Sequence, residues 1–78
     1  MRRDRRDIEF DLLCAAKKAI PKTRLMYDAH LSWTQLQSYM NRLMKDNLLK
    51  CCDGDLYQTT ETGLEYIKVV RKVKRMSP

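Results

Sequence analysis

The sequence predicts a mostly α-helical domain with one small β-hairpin set before its last helix. Three observations predict this. Apolar residues recur at the three- to four-residue spacing of amphipathic helices along most of the chain. Ser32-Trp-Thr-Gln35 has the form of a capping box, which marks a helix start. Asp53-Gly54 separates two short apolar runs, the pattern of a tight hairpin turn.

Residues 7–19 read as the first helix. Ile8, Leu12, Ala15, Ala16 and Ala19 recur at helical spacing, and Phe10, Leu13 and Cys14 widen the stripe. Asp4 or Asp7 caps its start, while Lys17 and Lys18 suit the negative end of the helix dipole. Pro21 ends it, because a residue before proline is pushed out of the helical region. A short second helix covers Lys22 to Ala29, with Leu25 and Met26 inward, and His30-Leu31 breaks it without a glycine.

The third helix, 32–47, has two distinct sides at about 100° per residue. Trp33, Leu36, Met40, Leu43, Met44 and Asn47 fall on one, with Tyr39 at its edge. Thr34, Gln37, Ser38, Asn41, Arg42 and Lys45 fall on the other, with no carboxylate before Asp46. Strands at 48–52 and 55–59 then flank the two-residue Asp53-Gly54 turn. Thr60-Glu-Thr-Gly63 opens a last helix over 60–76. Its apolar positions are Leu64, Ile67, Val70, Val73 and Met76, broadened by Tyr66 and Val69; Lys68, Arg71, Lys72, Lys74 and Arg75 make its polar face basic.

The chain of 78 residues allows one domain, residues 7–76, preceded by a basic arm, residues 1–6. A domain near this size buries only about 60% of its unfolded surface, so a partner subunit adds useful burial. Sixteen Lys and Arg against ten Asp and Glu give a formal charge of +6. That excess favours a polyanionic partner, nucleic acid before acidic membrane. No apolar run follows Met1-Arg-Arg-Asp-Arg-Arg-Asp7 as a signal peptide requires, and none approaches the roughly 20 residues of a membrane span. The three cysteines, Cys14, Cys51 and Cys52, offer neither a disulfide framework nor zinc spacing; they read as reduced thiols of a cytoplasmic protein. One histidine, no phosphate-binding glycine loop and no nucleophile–base pairing argue against an enzyme, and no cofactor, metal or small-molecule ligand is implied.

Two helices joined by a tight turn, the second with a polar outer face, form a helix-turn-helix, and the hairpin after them is a wing. The predicted architecture is therefore a winged helix-turn-helix. Ala15-Ala-Lys-Lys18, Thr23-Arg-Leu-Met-Tyr27, the loop Ala29-His-Leu-Ser32, Leu36 through Leu48, and Tyr57-Gln-Thr-Thr-Glu-Thr-Gly63 resemble the small archaeal winged helix-turn-helix transcription regulators. The similarity runs from about Ile8 to Val70. It implies DNA binding and, as in several members, dimerisation through the last helix as an antiparallel coiled coil. The chain departs from the pattern at Asp53-Gly-Asp55, acidic where a phosphate contact wants a cation, and in a last helix short for a long coiled coil.

Candidate DNA-binding residues follow from chemistry. Thr34, Gln35, Gln37, Ser38, Asn41, Arg42 and Lys45 face outward on the third helix; Gln and Asn pair two ways with adenine, and Arg with guanine. Ser32 stands where free N–H groups meet a backbone phosphate. Lys22, Arg24 and Lys50 add phosphate contacts, and Arg2, Arg3, Arg5 and Arg6 form an arm for an adjacent minor groove. Ile67, Val70, Val73 and Met76 are the candidate dimer interface, since a small domain covers only part of the last helix's stripe. Trp33 reads as core or rim packing before base stacking, and His30 as structural before metal-ligating. The expected function is transcription regulation by a homodimer on double-stranded DNA. A protein-interaction module, favoured by Asp53 and Asp55, and a non-specific architectural DNA binder are the alternatives.

Overall fold

The computed structural model describes residues 4–76, with side chains as far as 73. Its elements run α1 (Arg5–Ala15), β1 (Ile20–Pro21), α2 (Lys22–Asp28), α3 (Trp33–Lys45), β2 (Leu49–Cys52), β3 (Leu56–Thr59) and α4 (Glu61–Met76). The strands form an antiparallel sheet in the order β1-β3-β2. Leu12 and Leu13 of α1, Leu25 of α2, Leu36, Met40 and Leu43 of α3, and Ile67 of α4 are fully buried together. Burying each such side chain contributes about 1.5–3 kcal/mol, so one contact cluster fixes all four helices.

α1 begins earlier and ends earlier than periodicity suggests. Asp4 accepts from the Asp7 N–H at 2.9 Å and Asp7 reaches back to the Asp4 N–H, a capping box built from two aspartates. Arg5 and Arg6 are therefore the first residues of α1 and not part of an arm, while Arg2 and Arg3 lie outside the described residues. At the other end the helix stops at Ala15, well before Pro21. The Thr59 N–H donates to the Ala16 carbonyl at 2.8 Å, the Thr59 hydroxyl to that of Leu13 at 2.6 Å, and the Gln58 amide to that of Lys17 at 3.3 Å. β3 thus takes up the carbonyls a helix end leaves unpaired. Residues 16–19 lead instead into β1, where Ile20 pairs with Tyr57 and Pro21 with Leu56.

The stop after α2 uses a left-handed residue. His30 has φ 55°, and the Leu31 N–H donates to Met26 O at 3.1 Å. Asn47 repeats the device after α3, with φ 61° and the Leu48 N–H on Leu43 O at 2.8 Å. Both are helix-ending motifs in which His or Asn takes the place glycine usually fills.

The wing turn is one residue longer than a two-residue Asp53-Gly54 loop. Cys52 pairs with Leu56, so Asp53, Gly54 and Asp55 span the gap, with Gly54 at φ 70° and Asp55 at φ 63°. Aspartate tolerates that region better than most side chains.

The segment after the wing locks the last helix. Thr60 accepts from the Gly63 N–H at 2.9 Å while its own hydroxyl donates to Asn47 O at 2.6 Å. A Cβ on Gly63 would stand 2.3 Å from Leu48 O and 2.5 Å from Thr59 Cγ2, so only glycine allows this approach. Ile67, put forward as an interface residue, is 2% exposed and belongs to the core; it holds α4 onto its own domain. Val70 is half-buried, Val73 is exposed, and the Met76 side chain lies outside the described residues.

Candidate nucleic-acid interface

α2 and α3 form the helix pair, and α3 owes its start to Ser32. The Ser32 hydroxyl accepts from the Gln35 N–H at 3.2 Å, and Gln35 Oε1 accepts from the Ser32 N–H at 3.0 Å. The box leaves the Trp33 and Thr34 N–H groups without partners among the described residues. They point out of a helix N-terminus, where backbone amides and the dipole favour an anion.

Core packing of Leu36, Met40 and Leu43 sets the rotation of α3. Thr34, Ser38, Asn41, Arg42 and Lys45 are consequently all exposed on the opposite side. Between Trp33 and Lys45 there is no carboxylate, so this face presents hydroxyls, amides and cations alone.

The edge of α3 toward α2 is organised around Lys22. Its Nζ donates to Gln37 Oε1 at 2.5 Å and lies 4.5 Å from the centroid of the Trp33 ring. Gln37 in turn donates to Asn41 Oδ1 at 3.5 Å. Trp33 therefore sits at the rim, 52% exposed, with its ring face against a cation. Met44, grouped with the inward residues by periodicity, is also exposed at this edge.

The opposite edge meets the first turn of α1. Arg5 joins Thr34, Gln35, Ser38, Tyr39 and Arg42 around a shallow pocket of about 310 Å³. Sequence reasoning missed this juxtaposition because it assigned Arg5 to an arm. The Asp4–Asp7 pair was the signal that α1 starts early enough to carry it.

Two candidates stand elsewhere. Arg24 pairs with Asp28 at 3.4 Å and opens toward Lys17, Lys18 and Tyr27, in a different cleft from the face of α3. Lys50 is exposed on β2 opposite Gln58. On α4, the Arg71 guanidinium lies 6.0 Å from the Phe10 ring centroid, so one cation of its basic face packs against α1.

Among the described residues no group of three His, Cys, Asp or Glu side chains is placed to hold a metal ion. No helix there is long and apolar enough to cross a membrane.

A family model described as winged helix-turn-helix matches residues 2–78. An uncharacterised protein of Methanocaldococcus jannaschii is 31% identical over 77 residues, covering 97% of this chain; the chain spans 36% of that relative's length. The crystal structure of Sso10a-2, a DNA-binding protein from Sulfolobus solfataricus, matches with a TM-score of 0.84 at 25% identity, over 95% of this chain and 81% of that one.

Proposed function

This chain belongs to the winged helix-turn-helix family, and from that premise we propose that it binds double-stranded DNA with α3 in the major groove and regulates transcription as a cytoplasmic homodimer. The observation that carries the reading is the carboxylate-free outer face of α3, with Thr34, Ser38, Asn41, Arg42 and Lys45 exposed together. An ordinary solvated helix face mixes both charge signs; one that omits acids over three turns suits a groove lined by phosphates. Asn41 and Arg42 are the base readers, for adenine and guanine edges respectively. Gln35 and Gln37 reach the groove with the amide groups their hydrogen bonds leave over, and Ser32 sets the amides of the helix start on a phosphate. Lys22, Arg24 and Lys50 supply further phosphate contacts. DNA binding by the structurally similar Sulfolobus protein supports the same reading.

The homodimer rests on α4. Beyond the buried Ile67, Val69 and Val73 are 61% and 58% exposed one turn apart. A second copy laid along Val70, Val73 and Met76 would cover this stripe and set two recognition helices on successive half-sites.

One observation favours a second reading. The wing tip carries Asp53 and Asp55, both exposed, which suits a basic protein surface better than a phosphate. The deciding experiment is a salt-resolved titration of the protein against random and selected duplexes, with an Asn41→Ala/Arg42→Ala variant alongside. Selection of a motif by the wild type, lost in the variant, supports the regulator. Binding indifferent to sequence and to the variant makes the protein an architectural DNA binder, and no binding at low salt leaves the interaction module.

A further inference from the structure

We infer that the pocket between the first turn of α1 and the outer edge of α3 seats a backbone phosphate of the bound duplex, with Arg5 as its dedicated cation. The inference rests on the DNA-binding reading and adds a residue and a strand assignment to it. Arg5, Thr34, Gln35, Ser38, Tyr39 and Arg42 line the pocket. Two guanidiniums, two aliphatic hydroxyls, an amide and a phenol make a donor-rich set, and Arg presents a planar fork that matches a phosphate's oxygens. No carboxylate lines it, whereas Asp28 stands in the cleft beside α2 and Asp4 and Asp7 in the groove against α4. Neither Arg5 nor Arg42 has an ion-pair partner among the described residues. Two like charges facing one concavity without an acid between them are a poor arrangement for an isolated surface and a good one for an anion.

The geometry also says which phosphate. Lys22 flanks α3 on the edge of Trp33 and Gln37, and Arg5 flanks it on the edge of Gln35, Tyr39 and Arg42. A helix about 10–12 Å across fills a major groove about 12 Å wide. Groups on its two edges therefore face the two phosphate rails. Lys22 meets one strand and Arg5 the other, so α3 is held at a fixed depth and tilt while Asn41 faces the bases and Arg42 stands between the phosphate seat and the base edges. A rail contact positions the reader without reading sequence.

The test compares wild type, Arg5→Gln and Arg5→Lys against one selected and one random duplex over a range of salt, with thermal melting to confirm that each variant folds. Arg5 is exposed at the first helical position, and both substitutions retain good helix formers. The expected result is that Arg5→Gln weakens binding to both duplexes by the same factor and lowers the slope of log K against log salt by about 0.9 for each chain bound, one phosphate contact per half-site. Arg5→Lys should keep the slope. A methylphosphonate walked along each strand should then reduce the difference between wild type and Arg5→Gln at one phosphate per half-site only. If the wild type binds and Arg5→Gln leaves slope and affinity unchanged, the phosphate seat is wrong while the DNA reading stands. If the wild type binds no duplex even at low salt, the DNA reading fails and takes the seat with it.

Discussion

Lys22 donates to Gln37 and lies over the ring of Trp33, so one ammonium ties the start of α2 to two successive turns of α3. Lys22→Met keeps the stem and removes both polar contacts. A side-chain hydrogen bond and a half-exposed cation–π contact are each worth about 0.5–1 kcal/mol, so the variant should lose about 1 kcal/mol of stability by urea unfolding. Combined with Gln37→Ala, the cycle should show coupling of about 0.5–1 kcal/mol. Strict additivity would mean that the contact contributes nothing in solution.

Gly63 sits where α4 passes the Leu48 carbonyl, and a methyl group there would overlap backbone at 2.3 Å. Backbone cannot move aside as a flexible side chain can, so Gly63→Ala should cost at least the about 1–3 kcal/mol typical of overpacking, despite alanine's better helix propensity. Thermal unfolding measures this directly. An unchanged melting temperature would show that α4 has room to shift away from β2.

His30 holds a left-handed conformation that glycine adopts freely and β-branched residues resist. His30→Gly should therefore melt within a few degrees of the wild type, and His30→Val should lose about 1–2 kcal/mol. If both variants lose stability equally, the imidazole itself makes a contact that matters.

These positions show what local sequence can and cannot reveal. The capping box at Ser32 and Gln35 was legible because both partners lie within one turn of each other. The core residues of α3 were legible because burial repeats with the helix. The end of α1 was not, because its stop is supplied by Thr59 and Gln58 from more than forty residues away. A separation nearly as long hid β1, whose two residues become a strand only by pairing with Leu56 and Tyr57. Ile67 and Val73 are both apolar positions of α4, about 120° apart at 100° per residue. Which one the domain covers depends on where α1 crosses α4, and that is a tertiary fact. Arg5 was read as tail because Asp-Arg-Arg-Asp resembles a charged extension until the two aspartates are seen to cap each other.

Tyr57 supplies a pH prediction. Burial, then the neighbouring Cys51 and Asp55, push its phenol above the ordinary value of 10.0. The fold therefore favours the neutral phenol. Its contribution is complete below the unfolded-state value and is lost as pH rises through the raised one. The stability difference between wild type and Tyr57→Phe should be constant below pH 10 and shift against the wild type above it. A difference that stays level across that range would show that the phenol titrates alike in both states.

The homodimer makes a prediction that separates assembly from folding. Val69 and Val73 are exposed, so replacing both by lysine removes no core contact of Ile67 and should leave the single domain folded, with a melting temperature that no longer rises with protein concentration. In a dimer joined through α4, the same change places four added charges in an apolar seam, where unpaired charge is strongly disfavoured. Val69→Lys/Val73→Lys should then sediment at the 9.3 kDa of one chain while the wild type sediments at twice that mass. On DNA the wild type should prefer half-sites about one helical turn apart, or a multiple of it, because a rigid pair fixes the spacing of its two α3 helices. The variant should bind a single half-site as well as the wild type does and be indifferent to spacing. A variant that remains dimeric would place the interface away from α4, and a monomeric wild type that still discriminates spacing would require the duplex to bring the two copies together.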